Sequence, residues 1–330
     1  MSSTEIADRL HQESIIIDGL NVSNWDSDAV FRDLQLGGVT AINATVATWE
    51  NLRETLDHTT AWYRRLRERA DATTLIETVD DIVAAKRSGK VGIILGWQNA
   101  SPIENDLDRL DLFHRLGVRI VQVTYHERNL LGNGCYERVD DGLSNFGLDA
   151  VREMNRLGIV IDLSHVGERT TLETIDVSSQ PVAVTHANVK SYHDMKRNKA
   201  DEAVRKLAEC IRSMMRGNLK GTLDDYLDSI DHLVQMVGVD HVAVGTDHTQ
   251  DQPPEFWRYI ASQQGTRFPS TFVSADTDYS KVDLYPDGLK TPAGFPNLTA
   301  ALLERGYSEE DTAKIIGGNW LRLFREVWGR

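Results

Sequence analysis

The chain has 330 residues, with 36 Lys and Arg against 50 Asp and Glu, a formal net charge of −14 before any histidine protonates. That balance argues against nucleic acid and against an anionic membrane surface as partners, because both are held mainly by clustered basic residues. With 41% hydrophobic and 26% charged residues the composition is that of an ordinary globular chain with material for a large core.

The N-terminal MSSTEIADRLHQES has no basic segment followed by an apolar stretch, and no apolar run approaches the roughly 18 residues of a membrane span. A cytoplasmic protein is expected. From there, short β-branched runs alternate with longer amphipathic stretches. The strands are predicted at 14–20, 40–46, 91–97, 120–125, 160–165, 181–186 and 241–247, and the helices at 49–69, 77–88, 104–116, 146–157, 200–209 and 222–237. Continuous apolar strands of this kind belong to parallel sheets covered on both faces. The alternation predicts an α/β protein, a single (β/α)8 barrel of the TIM type spanning 1–330. Its weak element is the strand expected near 210–217, CIRSMMRG, which is polar and short. After Asp247 a long polar stretch with aromatic patches, to about 296, reads as a lid-like insertion. Amphipathic helices close the chain.

In such a barrel the chemistry gathers at the C-terminal ends of the strands. Those ends carry Asp18, Gln98, Tyr125 with His126, His165, His186, and Asp247 with His248. His165 and His186 close consecutive strands, which lie about 4.8 Å apart in a sheet, so the two imidazoles can share one metal ion. The blander reading, a buried histidine bonded to a backbone carbonyl, suits one such residue better than two at equivalent ends. Asp162 and Ser164 are placed to orient them. Asp247 is a candidate metal ligand or proton carrier, its alternative being a loop cap. Arg197, in MKRNKADE, is a candidate clamp for a substrate carboxylate, its alternative being a solvated surface arginine.

Other chemistries find no motif. GNGCYE (132–137) fits neither GxGxxG nor the P-loop pattern, and no GxSxG elbow is present. Cys135 and Cys210 lack CxxC spacing and neither stands beside an obvious base, so both are expected to be ordinary thiols.

From DGLNV through GWQNA, RLGVRIVQVTY, GLSNFG, VIDLSHV, PVAVTHANV, MKRN and HVAVGTD to GGNWLRLFREVW, the chain resembles the membrane (renal) dipeptidase family of zinc peptidases, barrels related to the amidohydrolases. The resemblance implies a two-zinc site in which His165 and His186 hold one metal. It matches Arg197 to the arginine that takes the substrate's free carboxylate, and Asp247 to an aspartate that binds metal and assists proton transfer. It departs at the first strand, where the family's His-x-Asp is replaced by Leu20-Asn21-Val22. The bridging glutamate falls at Gln98, a neutral amide and a poor bridge between two dications. The substrate-binding histidine falls at Tyr125, with His126 one residue on.

Two imidazoles, an amide and a carboxylate suit one zinc better than two. The expectation is therefore a metal-dependent hydrolase of a small, carboxylate-bearing amide or dipeptide-like substrate. His165, His186 and Asp247 or Gln98 would be its ligands, Asp247 and Tyr125 its catalytic groups, and Arg197, Gln98 and His126 its substrate contacts. Alternatives are a lyase, isomerase or cyclase on the same barrel, metal-free acid–base catalysis by Asp247, or an inactive ligand-binding homologue. The resemblance also implies a homodimer.

Overall fold

The computed structural model describes residues 2–207, the backbone of 212–214, 221–269 and 285–329. The strands are β1 (Ile17–Asn21), β2 (Ala41–Ala47), β3 (Thr73–Leu75), β4 (Val91–Trp97), β5 (Val118–Gln122), β6 (Val160–Asp162), β7 (Arg212–Met214) and β8 (Val242–Val244). Around them lie α1 (Ser3–Glu13), α2 (Asp28–Leu36), α3 (Leu52–Glu68), α4 (Val79–Ser88), α5 (Asp108–Arg115), α6 (Asn145–Leu157) and α7 (Glu168–Val177). Then follow α8 (Asp201–Lys206), α9 (Leu223–Val237), α10 (Pro254–Ile260), α11 (Phe295–Glu304), α12 (Glu309–Ala313) and α13 (Asn319–Trp328). Several helix starts are written locally: Asn51 with Glu54, Thr78 with Asp81 and Thr222 with Asp225 form reciprocal capping boxes on α3, α4 and α9.

All strand pairs are parallel. The order β1-β2-β4-β5-β6 curls round, and residues 181–186 extend it: Ala183 donates to Ile161 O (2.9 Å) and accepts from Leu163 N (2.8 Å). β7 pairs with β8, and the chain beyond β8 returns to β1 through an Asn21–His248 bridge, with Asp247 N donating to Leu20 O at 2.9 Å. The fold is thus the expected α/β barrel.

Several boundaries are corrected. The strand expected at 160–165 stops at Asp162, that at 120–125 stops at Gln122, and that at 241–247 is Val242–Val244; 181–186 forms a single isolated bridge. The ladder gives way because buried carboxylates take its place: Asp162 accepts from Ser164 N and Thr185 N, and Asp18 from Thr246 N. β3 was not foreseen. It flanks the first half of β4 (Thr73 opposite Val91), and β5 takes over from Leu95. The helix expected at 104–116 is a 3-10 turn (Ser101–Ile103) followed by α5, and α8 is capped by Ala200. The doubtful strand at 210–217 survives as β7; its remaining residues, and 270–284 of the insertion, lie outside the described residues.

Alternate strand residues go to two cores. Ile42, Ala44, Ile93, Leu95, Val121, Ile161, Val182 and Val184 pack under the helices. Ile17, Ala41, Ile94, Ile120, Val160, Ala183 and Ala243 meet Trp320, Leu323 and Phe324 of α13 in a second cluster at the N-terminal end of the barrel. Trp320 donates to Val244 O (2.8 Å), and a Cβ on Gly19 would lie 2.4 Å from its ring, so a glycine there admits the indole. Further along the same strand faces the residues become polar: Asn43, Thr45, Gln122, Thr124, Asp162 and Thr185. The apolar floor leaves the polar chemistry at the other end.

Candidate functional site

His165 follows β6 and His186 follows the segment paired with it, which brings their Nε2 atoms to 2.8 Å. Both rings are buried. The tautomer of His186 follows from its neighbours. Ser164 Oγ and Thr185 Oγ1 each give their proton to the buried Asp162 carboxylate, at 2.6 and 2.7 Å. Thr185 Oγ1 lies 2.7 Å from His186 Nδ1 and has only acceptor capacity left there, so Nδ1 carries the proton and Nε2 the lone pair. His186 N is also held by Ser164 Oγ (3.0 Å).

His165 has one ring proton and two sides. Its Nε2 faces His186 Nε2 and a guanidinium N–H of Arg197 at 3.1 Å; its Nδ1 faces His126 Nδ1, also at 3.1 Å. Arginine only donates, so the Arg197 contact is a hydrogen bond when Nε2 is bare. Two bare Nε2 atoms then face each other, an arrangement that a cation resolves. With the proton on Nε2 instead, His165 donates to His186 and bares Nδ1 on the His126 side. Burial first, then the positive charge of Arg197, pushes His126, His165 and His186 well below the usual imidazole range, so all three are neutral and available as donors at pH 7.

Arg197 sits at the middle of this group. Its charge acts on Tyr125, His126, Cys135, His165, His186 and Asp247 alike. Nη1 donates to Ser164 O (2.6 Å) and Nη2 to His186 O (2.5 Å), so the barrel's own carbonyls aim the guanidinium. With the His165 contact this uses three of five N–H groups. The side chain is half-buried.

Asp247 is one of the few non-glycine residues at positive φ (52°). Burial is the main reason its carboxyl is pushed up to about 7; Arg197 opposes this, and the charges of Asp18 and Asp162 add to it. Tyr285 donates to Asp247 O (2.7 Å), which ties the insertion to the barrel mouth. The Tyr125 ring lies 4.2 Å from the His165 ring, tilted 32° to it, and edge-on to Trp49; burial and then the Asp247 charge hold its phenol protonated. Gln98 is buried, with its amide N–H given to Thr45 Oγ1 (3.0 Å). The first strand offers no replacement ligands: Leu20 and Val22 are buried and apolar. His248 turns away to Leu289 O (2.9 Å).

One expectation needs correction. Cys135 is not remote from a base: its Sγ lies 3.8 Å from His126 Nδ1, and His126, Cys135 and His165 bring their donor atoms within 4.8 Å of one another. Sequence reasoning also missed Thr185 as the link between His186 and Asp162. A signal for the thiol was present in Gly132-Asn133-Gly134, a turn able to bring backbone close to backbone.

Among the described residues no helix is long and apolar enough to cross a membrane. The family model for membrane dipeptidase (peptidase family M19) matches residues 5–262 and 257–328. Dipeptidase tcpJ of Claviceps purpurea is 28% identical over 288 residues, 84% of this chain; the chain spans only 60% of that relative's length. An amidohydrolase structure from Pseudomonas aeruginosa is 38% identical, covers 98% of this chain and 99% of its own, and superposes with a TM-score of 0.93. A metallopeptidase from Rhodobacter sphaeroides, solved with a phosphinate mimic of the dipeptide L-Ala-D-Ala, shares the fold at 19% identity (TM-score 0.77, 96% of this chain and 100% of its own). By the match along nearly its whole length, this chain belongs to the membrane dipeptidase family.

Proposed function

We propose that the chain is a metal-dependent hydrolase acting on a small amide or dipeptide-like substrate that carries a free carboxylate, through one metal ion rather than two. The observation that carries this reading is the pair of Nε2 atoms at 2.8 Å, with His186 fixed in the ligand tautomer by Thr185 and Asp162. His165 and His186 would hold the ion, with Asp247 or the carbonyl oxygen of Gln98 as a third ligand. Three protein ligands and an open position are what a catalytic zinc requires. Such an ion would supply Lewis acidity toward the scissile carbonyl.

The chain's own groups do the rest. Arg197 has two N–H groups left for the substrate carboxylate while its others stay on Ser164 O and His186 O. Asp247, a buried carboxylate beside Arg197, moves the proton to the leaving amine. Tyr125 keeps its proton and can donate to the carbonyl oxygen, and His126 and Gln98 line the substrate's path. The dipeptide mimic on the Rhodobacter relative supports a dipeptide-like substrate.

A second reading, a lyase, isomerase, cyclase or ligand-binding barrel, is favoured by the apolar Leu20 and Val22 in place of ligands. Metal content and turnover separate the two. Protein purified without added metal, assayed on dipeptides including D-alanine-terminated ones, is expected to hold one zinc and to hydrolyse. His165→Ala is expected to lose both, and His186→Ala to lose turnover. Turnover that survives a chelator, or a chain that takes no metal when zinc is offered, would overturn the hydrolase reading.

A further inference from the structure

We propose that His126, Cys135 and His165 form a second, soft-metal site that takes Zn2+ or another thiophilic divalent ion through the two Nδ1 atoms and the sulfur. The site shares His165 with the pair described above but uses its other nitrogen, and it needs no ion on that pair.

The spacing fits. The Nδ1 atoms are 3.1 Å apart and Sγ is 3.8 Å from His126 Nδ1. A tetrahedral zinc with bonds of about 2.0–2.1 Å to nitrogen and about 2.3 Å to sulfur separates two nitrogens by roughly 3.3 Å and a nitrogen from a sulfur by roughly 3.6 Å. Both of these distances need a shift of only a few tenths of an ångström, and all three donor atoms lie within 4.8 Å of one another.

The backbone assembles the three donors by specific means. His126 is held at φ 58°, a conformation non-glycine residues rarely adopt, which turns its ring toward His165. The 132–137 loop folds back over it: Tyr136 N donates to His126 O and Cys135 N to His165 O, both at 2.8 Å, and Gly134 bridges to Val166. A Cβ on Gly134 would lie 2.1 Å from the His126 carbonyl carbon, so only glycine permits this approach. One loop therefore hydrogen-bonds the backbone of both histidines and places a thiol beside the His126 ring.

The chemistry is complementary as well. A thiolate brings the negative charge that two neutral imidazoles lack, and it favours zinc and other soft ions over magnesium or calcium. Binding releases the thiol proton, and three protein donors leave a fourth position open. Occupation of this side places the His165 proton on Nε2, where it donates to His186. The two sides of His165 therefore compete for metal, unless the ring gives up its one N–H proton and bridges two ions as imidazolate.

The test is spectroscopic. The full chain, stripped of metal, is titrated with Co2+, and the near-ultraviolet sulfur-to-cobalt charge-transfer band is read in wild type, Cys135→Ser and His186→Ala. Melting curves of the stripped proteins check that each is folded, and His126→Asn serves as a second variant on the same side. The expected result is a band that saturates at one Co2+ per chain in wild type and His186→Ala, and that is absent in Cys135→Ser and His126→Asn. Cobalt binding without the band, removed by His186→Ala, would overturn the soft site and leave the Nε2 pair. A band that persists in Cys135→Ser would assign the thiolate to Cys210, and a band lost in His186→Ala would mean one shared ion; both overturn a separate site. No cobalt uptake in any protein would overturn this site and the Nε2 pair together.

Discussion

Replacing Thr185 with Val tests how the metal pair is held, because one hydroxyl serves two buried groups. Thr185 Oγ1 donates to Asp162 Oδ2 (2.7 Å) and accepts from His186 Nδ1 (2.7 Å). The other contacts to Asp162, from Ser164 N, Ser164 Oγ and Thr185 N, all go to Oδ1. Valine keeps the shape but leaves Oδ2 and Nδ1–H without these partners. At about 1–3 kcal/mol for each buried group left unsatisfied, the variant should lose roughly 2–6 kcal/mol of stability before relaxation. The free imidazole can then take either tautomer, and loss of such an orienting partner typically lowers metal affinity about 10–100-fold. Thr185→Ser keeps the hydroxyl and should behave nearly as wild type. The assay is zinc competition against a chromophoric chelator, with urea unfolding of the metal-free proteins alongside. Thr185→Val protein that matches wild type in both measurements would refute the assigned tautomer and the link to Asp162.

Three further outcomes are expected. Burial raises the Asp18 carboxyl to about 6 despite four hydrogen bonds to it, so the folded state binds more protons there than the unfolded state between about pH 4 and pH 6. This contribution is full below pH 4 and is lost as pH rises through 6; Asp18→Asn should remove that downward slope from the pH dependence of urea midpoints, whatever it does to the mean. Gly134→Ala forces the 132–137 loop off His126 and should cost at least about 1–3 kcal/mol in the same unfolding assay, with alanine at the open Gly89–Lys90 turn unsuitable as a control because Gly89 sits at φ 68°. Arg197→Lys keeps the charge but loses the planar fork, so KM for a carboxylate-bearing substrate should rise about tenfold or more while a substrate amide-capped at that end changes little. Equal effects on both substrates would remove Arg197 from carboxylate binding.

The barrel was legible because its strands are continuous apolar runs, and Val91–Trp97 falls where the sequence placed it. The same uniformity hid which residues face the interior: Ile93 and Ile94 read alike, yet one packs under the helices and the other against α13. β3 was hidden by brevity, since Thr73–Leu75 carries too few residues for any period to show. Strand ends were overrun where Asp18 and Asp162 replace ladder partners with side-chain oxygens, a substitution that polar residues near a strand end do not reveal. At the site, His165 and His186 could be placed together because consecutive strands are neighbours in space. Cys135 could not, because its position depends on a loop whose path is set by the left-handed turn at His126 and by the close approach of Gly134, neither of which leaves a periodic trace.

The placement of α13 also constrains when the fold can be completed. Trp320, Leu323 and Phe324 belong to the cluster that receives a residue from nearly every barrel strand, yet they come after all the strands in the chain. During synthesis, a ribosome that has delivered every strand still holds the plug, so the nascent barrel presents an open apolar end to chaperones. Closure must follow release of this segment, after translation of the strands rather than alongside it. Stalled chains ending before Asn319 should therefore stay protease-sensitive, and chains extended beyond α13 by a linker that clears the exit tunnel should become resistant; resistance in the shorter chains would show that the barrel closes without its floor.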